Sequence, residues 1–311
     1  MIFAARGLLV SLAFFATVYC PLSLLMVLAC RSMNRAGRQS VLSSANLLFG
    51  LRIFPFAVSA MVTLFFTFPS FWLLERASLD EDAGTFILAL CSLLILGAGL
   101  FRVLRVQART ARAIERWLAR ATDTGSDAHT PRLSGSHGAP PLILVGLRKP
   151  RVMVSDVATT VLSDDELQVA VRHELGHARA WDNLKRILIS STPFPGMGSL
   201  ESAWREAAEL AADDTAVRNR QEALDLAAAL LTLSRFAWQS PESVLLTELV
   251  SGSSSISVRV ERLLKWQMTG HSFRRIWPWT LPLLLTVIAG IVGNYGAALV
   301  LTHRLTELRV P

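Results

Sequence analysis

Four stretches of this chain are apolar, and uncharged or nearly so, over lengths that can cross a lipid bilayer. No other feature constrains the fold as strongly, because about 20 apolar residues in a helix span the hydrocarbon core. Gly7 to Cys30 and Ile53 to Leu74 hold no charged residue, and the second carries Phe65, Phe66, Phe68 and Phe71. Thr85 to Phe101 is slightly short, but Val103 and Leu104 extend it past Arg102, which can snorkel. Thr280 to Thr302 is the fourth, with Trp277 and Trp279 as interface anchors at its start. Only 18% of the 311 residues are charged, whereas a soluble domain carries about 25%. An ordinary cytosolic enzyme is therefore disfavoured. Cys20, Cys30 and Cys91 lie in the apolar blocks, with neither zinc spacing nor a disulfide framework.

The loops set an orientation. Arg31, Arg35 and Arg38 follow the first block, whereas Glu75, Asp80, Glu81 and Asp82 follow the second. Arg102, Arg105, Arg109, Arg112, Arg116 and Arg120 follow the third, and Arg274 and Arg275 precede the fourth. The positive-inside rule then places the N-terminus outside, residues from about 105 to 275 in the cytosol and the C-terminus outside. A cleaved signal peptide fits the first block poorly, since only Arg6 precedes its core. The six arginines after the third block share one helical stripe, either solvated or lying on the anionic inner leaflet. The net charge of +7 thus tracks the membrane edges rather than a nucleic-acid groove.

The predicted organisation is a mainly α membrane protein with four transmembrane helices and a cytosolic α+β domain carrying a small β-hairpin or sheet. Residues 1–121 hold three transmembrane helices, at about 7–30, 53–74 and 84–104, and a basic helical extension. A Ser, Thr, Gly, His and Pro-rich linker covers 122–141, and the cytosolic domain covers 142–275. The fourth helix covers 276–303, and a short external tail covers 304–311.

Leu142–Gly146 and Arg151–Ser155 are β-prone runs around a Lys149-Pro150 turn, which reads as a hairpin. Ser163-Asp164-Asp165-Glu166 is a capping box that starts a helix near Asp164. That helix carries His173-Glu174-Leu175-Gly176-His177. Two imidazoles at i and i+4 share a face and can share a metal, while Glu174 can reach an activated water without being a ligand. The competing reading is a structural histidine pair. A second helix carries Glu201, Glu206, Glu209, Asp213 and Asp214. Glu206, Glu209 and Asp213 share a face, and zinc with two histidines needs a third protein ligand. Periodicity leaves Glu206 and Glu209 as alternatives, and an ordinary acidic surface explains the run without a metal. Residues 187–200, with Pro193, Pro195, Gly196 and Gly198, read as a loop between the two metal-binding helices.

Three stretches carry a resemblance: Ala139 to Asp156, the segment LSDDELQVAVRHELGHARAWDNL ending at Leu184, and EAAELAADDTAV ending at Val217. Together they resemble the bacterial membrane zinc peptidases of the β-lactam sensor-transducers, the Bla-R/Mec-R type, and more distantly the membrane peptidases that process prenylated proteins or respond to heat shock. The wider group pairs H-E-x-x-H with a downstream E-x-x-x-D, matched here by Glu209 to Asp213. The resemblance implies a gluzincin-like domain with Zn²⁺ held by His173, His177 and Glu209. It further implies that Glu174 is the catalytic base and that Asp213 orients a ligand histidine. It also implies a buried arginine at Arg259, although an amphipathic helix with Arg259 and Arg262 on its wet face explains that position equally well. No serine–lysine acylation motif is present, so antibiotic sensing is not expected.

The expected function is that of a zinc-dependent metalloendopeptidase in the bacterial inner membrane, cleaving a cytosolic or membrane-proximal protein. An edge of the hairpin could bind such a substrate as an added strand. The alternative is a non-catalytic membrane transducer or scaffold that keeps the peptidase fold. Transport is disfavoured, since no ionisable pair lies within the spans. The expected partners are a protein or peptide substrate and the lipid bilayer, with no nucleic acid. Gly290, Gly293 and Gly296 would permit contact with a second copy or a partner membrane protein.

Overall fold

A computed structural model describes residues 2–35, 44–74, 83–118, 132–133, 141–146, 150–235, 247–248, 253–266 and 295–307. It is mostly helical, with one small sheet. Three helical stretches are long and apolar enough to cross a membrane: Phe3–Ser32, Ala45–Leu74 and Ala83–Arg116. They belong to α1 (Ile2–Arg35), to α2 (Ala45–Val62) continued by a π turn and α3 (Phe68–Leu74), and to α4 (Ala83–Leu118). Most of the predicted fourth span lies outside the described residues. Its end falls in α11 (Tyr295–Glu307), which runs on past Thr302 into the predicted tail.

The chain divides into two compact units. The first contains residues 1–36, 51–98 and 270–311. Within it the apolar surface is largely bare, with Leu25, Leu64, Phe65, Leu73, Ile87, Leu94 and Phe101 (the last just beyond, in the second unit) among many exposed large side chains. In water such a surface would drive aggregation, whereas acyl chains cover it without cost. Its interior is aromatic and finely packed. Phe15, Tyr19 and Phe56 stack together, and Phe3 packs on Phe71 and Trp72. Pro69 has no N–H to return to the Phe65 carbonyl, and the Tyr295 hydroxyl donates to that carbonyl at 2.7 Å. The second span takes in Arg52, only 1% exposed, because its helix begins at Ala45 rather than near Ile53.

The second unit contains residues 37–50 and 99–269. It has a small sheet of β1 (Arg132–Leu133), β2 (Leu142–Val145), β3 (Arg151–Ser155) and β4 (Thr247–Glu248), in the order β1-β3-β2-β4. The expected hairpin is β2 and β3, antiparallel from Leu142↔Val154 to Val145↔Arg151. Its β2 edge is already paired with β4, antiparallel at Ile143↔Glu248, and its β3 edge with β1, so neither edge is left open at these positions. The β1 residues lie within the stretch read as a linker; most of that stretch is outside the described residues. Leu142 and Leu144 face the main core, whereas Ile143 and Val145 pack on Ala113 and Ile114 of α4. Burial on both faces explains the unbroken Leu-Ile-Leu-Val run.

After the sheet come α5 (Asp156–Val161), α6 (Asp164–Arg179), α7 (Asp182–Ser191), α8 (Gly198–Ala216), α9 (Arg220–Arg235) and α10 (Ser253–Leu264). Leu226 and Leu230 of α9, fully buried, meet Val169 and Ala170 of α6 and Val260 and Leu263 of α10 in one core. The stretch 187–200 is mainly helical rather than a loop: α7 runs to Ser191 and α8 starts at Gly198. The Pro and Gly residues crowd into the six positions between and at the first turn of α8, where they break the helix without shortening it further.

Candidate metal centre

The capping box is present. Ser163 Oγ accepts from the Glu166 backbone N–H, and Glu166 Oε2 accepts from the Ser163 N–H at 2.8 Å. It starts α6 so that His173, Glu174 and His177 fall on the buried side. On α8, Glu209 and Asp213 are buried one turn apart, whereas Glu206 is exposed and outside the cluster. The packing of α6 on α8 therefore discriminates between the two glutamates. Gly176 permits that packing: a Cβ there would stand 3.3 Å from the Ala212 Cα and 2.5 Å from Thr215 Oγ1.

His173 Nε2 and His177 Nε2 are 3.2 Å apart. Glu209 Oε2 lies 3.5 Å from the first, and Glu209 Oε1 3.6 Å from the second. Tetrahedral zinc with bonds of about 2.0–2.1 Å sets its donors roughly 3.3 Å apart, so this triangle fits such an ion. The outer ring nitrogens are held as well. His177 Nδ1 donates to Asp182 Oδ2 at 2.7 Å, and His173 Nδ1 lies 3.0 Å from Asp213 Oδ1. A carboxylate behind each imidazole leaves both Nε2 lone pairs pointing inward. With both Nε2 atoms and the Glu209 carboxylate turned to one point, the group could hold a metal ion.

Arg259 of α10 closes the back of the site and is 1% exposed. Its Nη2 and Nε donate to the two Asp213 oxygens at 2.7 and 2.9 Å, and its Nη1 donates to Glu209 Oε2 at 3.0 Å. Arg262, one turn on, instead reaches the half-exposed Asp214. The wet-face reading thus describes Arg262 and not Arg259. Arg186 Nη2 stands 3.9 Å from Glu209 Oε1 on the other side.

The charges follow this arrangement. Burial alone would lower His177, but the Glu209 charge and the Asp182 hydrogen bond raise it to about 10. His173 is raised against its burial by Asp213 and Glu209. Burial would raise Glu209, yet His177, His173 and Arg259 hold it well below the usual carboxylate range. Asp213 is likewise depressed against burial, chiefly by Arg259. Burial lowers Arg186, whereas Asp213 raises Arg259 against it. The site thus has a strong affinity for positive charge, which protons meet when no metal is bound.

Lys185 and Arg186 are residues that sequence reasoning missed, and Asp182 was read only as part of the Asp182-Asn183-Leu184 match to the resembled family, with no role given to it. Asp182 comes back onto His177 because Trp181, between α6 and α7, takes a left-handed conformation with φ 58°. Only the Asp-Asn-Leu trailer after the histidines hinted at it. Asn183 ties the same turn to the sheet, donating to the Leu144 and Gly146 carbonyls at 3.4 Å. No family model matches this chain, and a search of curated proteins found no match.

Proposed function

We propose that this protein is a zinc-dependent metalloendopeptidase of the bacterial inner membrane, similar to the β-lactam sensor-transducer type. The observation that carries this reading is the His173, His177 and Glu209 triangle, backed by a carboxylate at each imidazole, with Glu174 buried on the same helix. His173 Nε2, His177 Nε2 and the Glu209 carboxylate would hold the ion, leaving a fourth position for water or substrate. When bound, zinc supplies Lewis acidity, which activates water and polarises a peptide carbonyl. Glu174 takes the proton of the attacking water on its carboxylate and returns it to the leaving amine. Asp182 and Asp213 keep the imidazoles oriented through that cycle. Arg259 holds Glu209 by one oxygen and Asp213 by both. A scaffold without catalysis would have no reason to bury a further carboxylate, Glu174, where its charge is felt by His177, Arg186 and Arg259.

A cytosolic metal centre, expected from the positive-inside rule, is supported by one further observation. Residues 44–50, which start α2, and residues 99–118, which end α4, belong to the same compact unit as the metal centre. The α4 end is also the arginine-bearing segment that the positive-inside rule places in the cytosol. The substrate is then a cytosolic or membrane-proximal protein.

Glu174→Gln tests the mechanism. The purified full-length variant should keep its zinc by elemental analysis and lose cleavage of the proteins that accumulate in cells carrying it. Cleavage of those proteins at the normal rate would rule the mechanism out.

A further inference from the structure

Helix α7 is held at both ends by the two membrane-type helices whose ends share its compact unit. At its start, Lys185 Nζ donates to Asn46 Oδ1 of α2 at 2.8 Å and lies 5.7 Å over the Phe49 ring. At its end, the Ser191 carbonyl packs so closely on Gly99 of α4 that a Cβ there would collide with it, and Pro193 Cδ would stand 3.1 Å away. Between these holds, α7 serves the metal centre. Lys185 Nζ is 3.5 Å from Asp182 Oδ1, and Asp182 Oδ2 accepts from His177 Nδ1 at 2.7 Å. Asp182 Oδ1 makes no hydrogen bond among the described residues, so charge is what orients that half of the carboxylate.

These contacts form one unbroken series, from the first turn of α2 through Lys185 and Asp182 to His177. A carboxylate behind a ligand histidine sets the ring's angle and basicity, and the cation behind that carboxylate sets the carboxylate's own rotation. Lys185 is 14% exposed, so water does not screen the pair as it screens a surface one. The stretch from Ala45 to Leu74 is helical throughout, so a shift of α2 along or about its axis moves Asn46 with it.

We propose that Lys185 is a positioning residue of the metal centre: by joining Asp182 to Asn46, it makes metal affinity depend on where α2 and α4 hold α7. This rests on the metal-binding reading above. It adds a route by which a change in the membrane helices, whether from a partner, a ligand or the bilayer, reaches the ligand set.

The test measures zinc affinity of the full-length protein in detergent by competition with a chromogenic chelator, and the visible spectrum of the cobalt(II)-loaded protein. Lys185→Met should weaken zinc binding by about tenfold, the low end for an outer partner of a ligand, and should shift the cobalt bands. Lys185→Arg should restore most of the affinity. Asn46→Leu and Gly99→Val, which touch no ligand, should weaken zinc binding in the same direction. Glu209→Ala separates the two readings. If wild type binds zinc and Glu209→Ala loses it, yet Lys185→Met or Asn46→Leu binds like wild type, the coupling is wrong and the metal centre stands. If wild type binds no zinc, or Glu209→Ala binds as tightly, both readings fall.

Discussion

Removing Arg259 tests whether the back of the site is held by charge. In Arg259→Met the stem is preserved and the guanidinium lost, so packing changes little while three charge-assisted hydrogen bonds vanish. Among the described residues, Asp213 is then left buried with only His173 for a partner, and Glu209 with His173, His177 and Arg186. Breaking a buried ion pair by deleting one member costs about 3–5 kcal/mol, because the other charge stays out of water. For a unit of this size each kcal/mol shifts the melting midpoint by roughly 2–4 °C. The metal-free protein should therefore melt about 6–20 °C lower, as followed by tryptophan fluorescence on heating with a chelator present. A second change should recover part of this: Asp213→Asn in the Arg259→Met background removes one of the stranded charges. The double variant should then melt above the sum of the two single losses. A single variant that melts within about 2 °C of wild type, below the smallest shift the argument allows, would show that the Arg259 contacts do not hold the site together.

Two further variants address how the site is assembled. Glu209→Ala should abolish stoichiometric zinc by elemental analysis, whereas Glu206→Ala, at an exposed position, should retain it; the reverse result would reassign the third ligand. Gly176→Val should lower zinc affinity by at least about tenfold in chelator competition, since a side chain there must push α6 away from the Ala212 backbone and separate the imidazoles from Glu209. Unchanged affinity would mean that the close approach of α6 and α8 is not what sets the ligand distances.

Local features of the sequence read well and long-range ones did not. The capping box at Ser163 and the i, i+4 histidines needed only the helical repeat, so α6 and its inward face were legible at once. The choice of Glu209 over Glu206 was not legible in the periodicity, because both lie on one arc of α8, and only the E-x-x-x-D resemblance pointed to Glu209; in the fold, the approach permitted by Gly176 decides which is buried. Asp182 was hidden for another reason. A non-glycine residue in a left-handed conformation is uncommon, and nothing in Ala180-Trp181-Asp182 announces the reversal that turns Asp182 back to His177. The Leu142–Val145 run suggested a strand but not why it is apolar on both faces, since Ala113 and Ile114 covering one face come from a segment that reads as a basic membrane extension. The Pro and Gly residues near 193–198 were given too much reach. They end α7, but Ile189 is buried and Asn183 is tied to the sheet, and these tertiary contacts carry the helix to Ser191.

The balance of charge around the two imidazoles fits the proposed reading, in which the site holds a divalent ion. Glu174, Glu209, Asp182 and Asp213 bring four carboxylates into one buried region, and Arg186, Arg259 and Lys185 bring three cations. Glu209 and Asp182 favour a charged imidazole, and His177 is accordingly raised to about 10. A protonated His177 has no lone pair at Nε2 to offer, so proton and metal compete for the same atom. A dication in their place leaves a surplus positive charge next to Glu174. A carboxylate beside such a charge is favoured as the anion, the form that a proton acceptor requires. On the proposed reading, the carboxylates that favour a proton on His177 are the same ones that would favour a metal ion in its place.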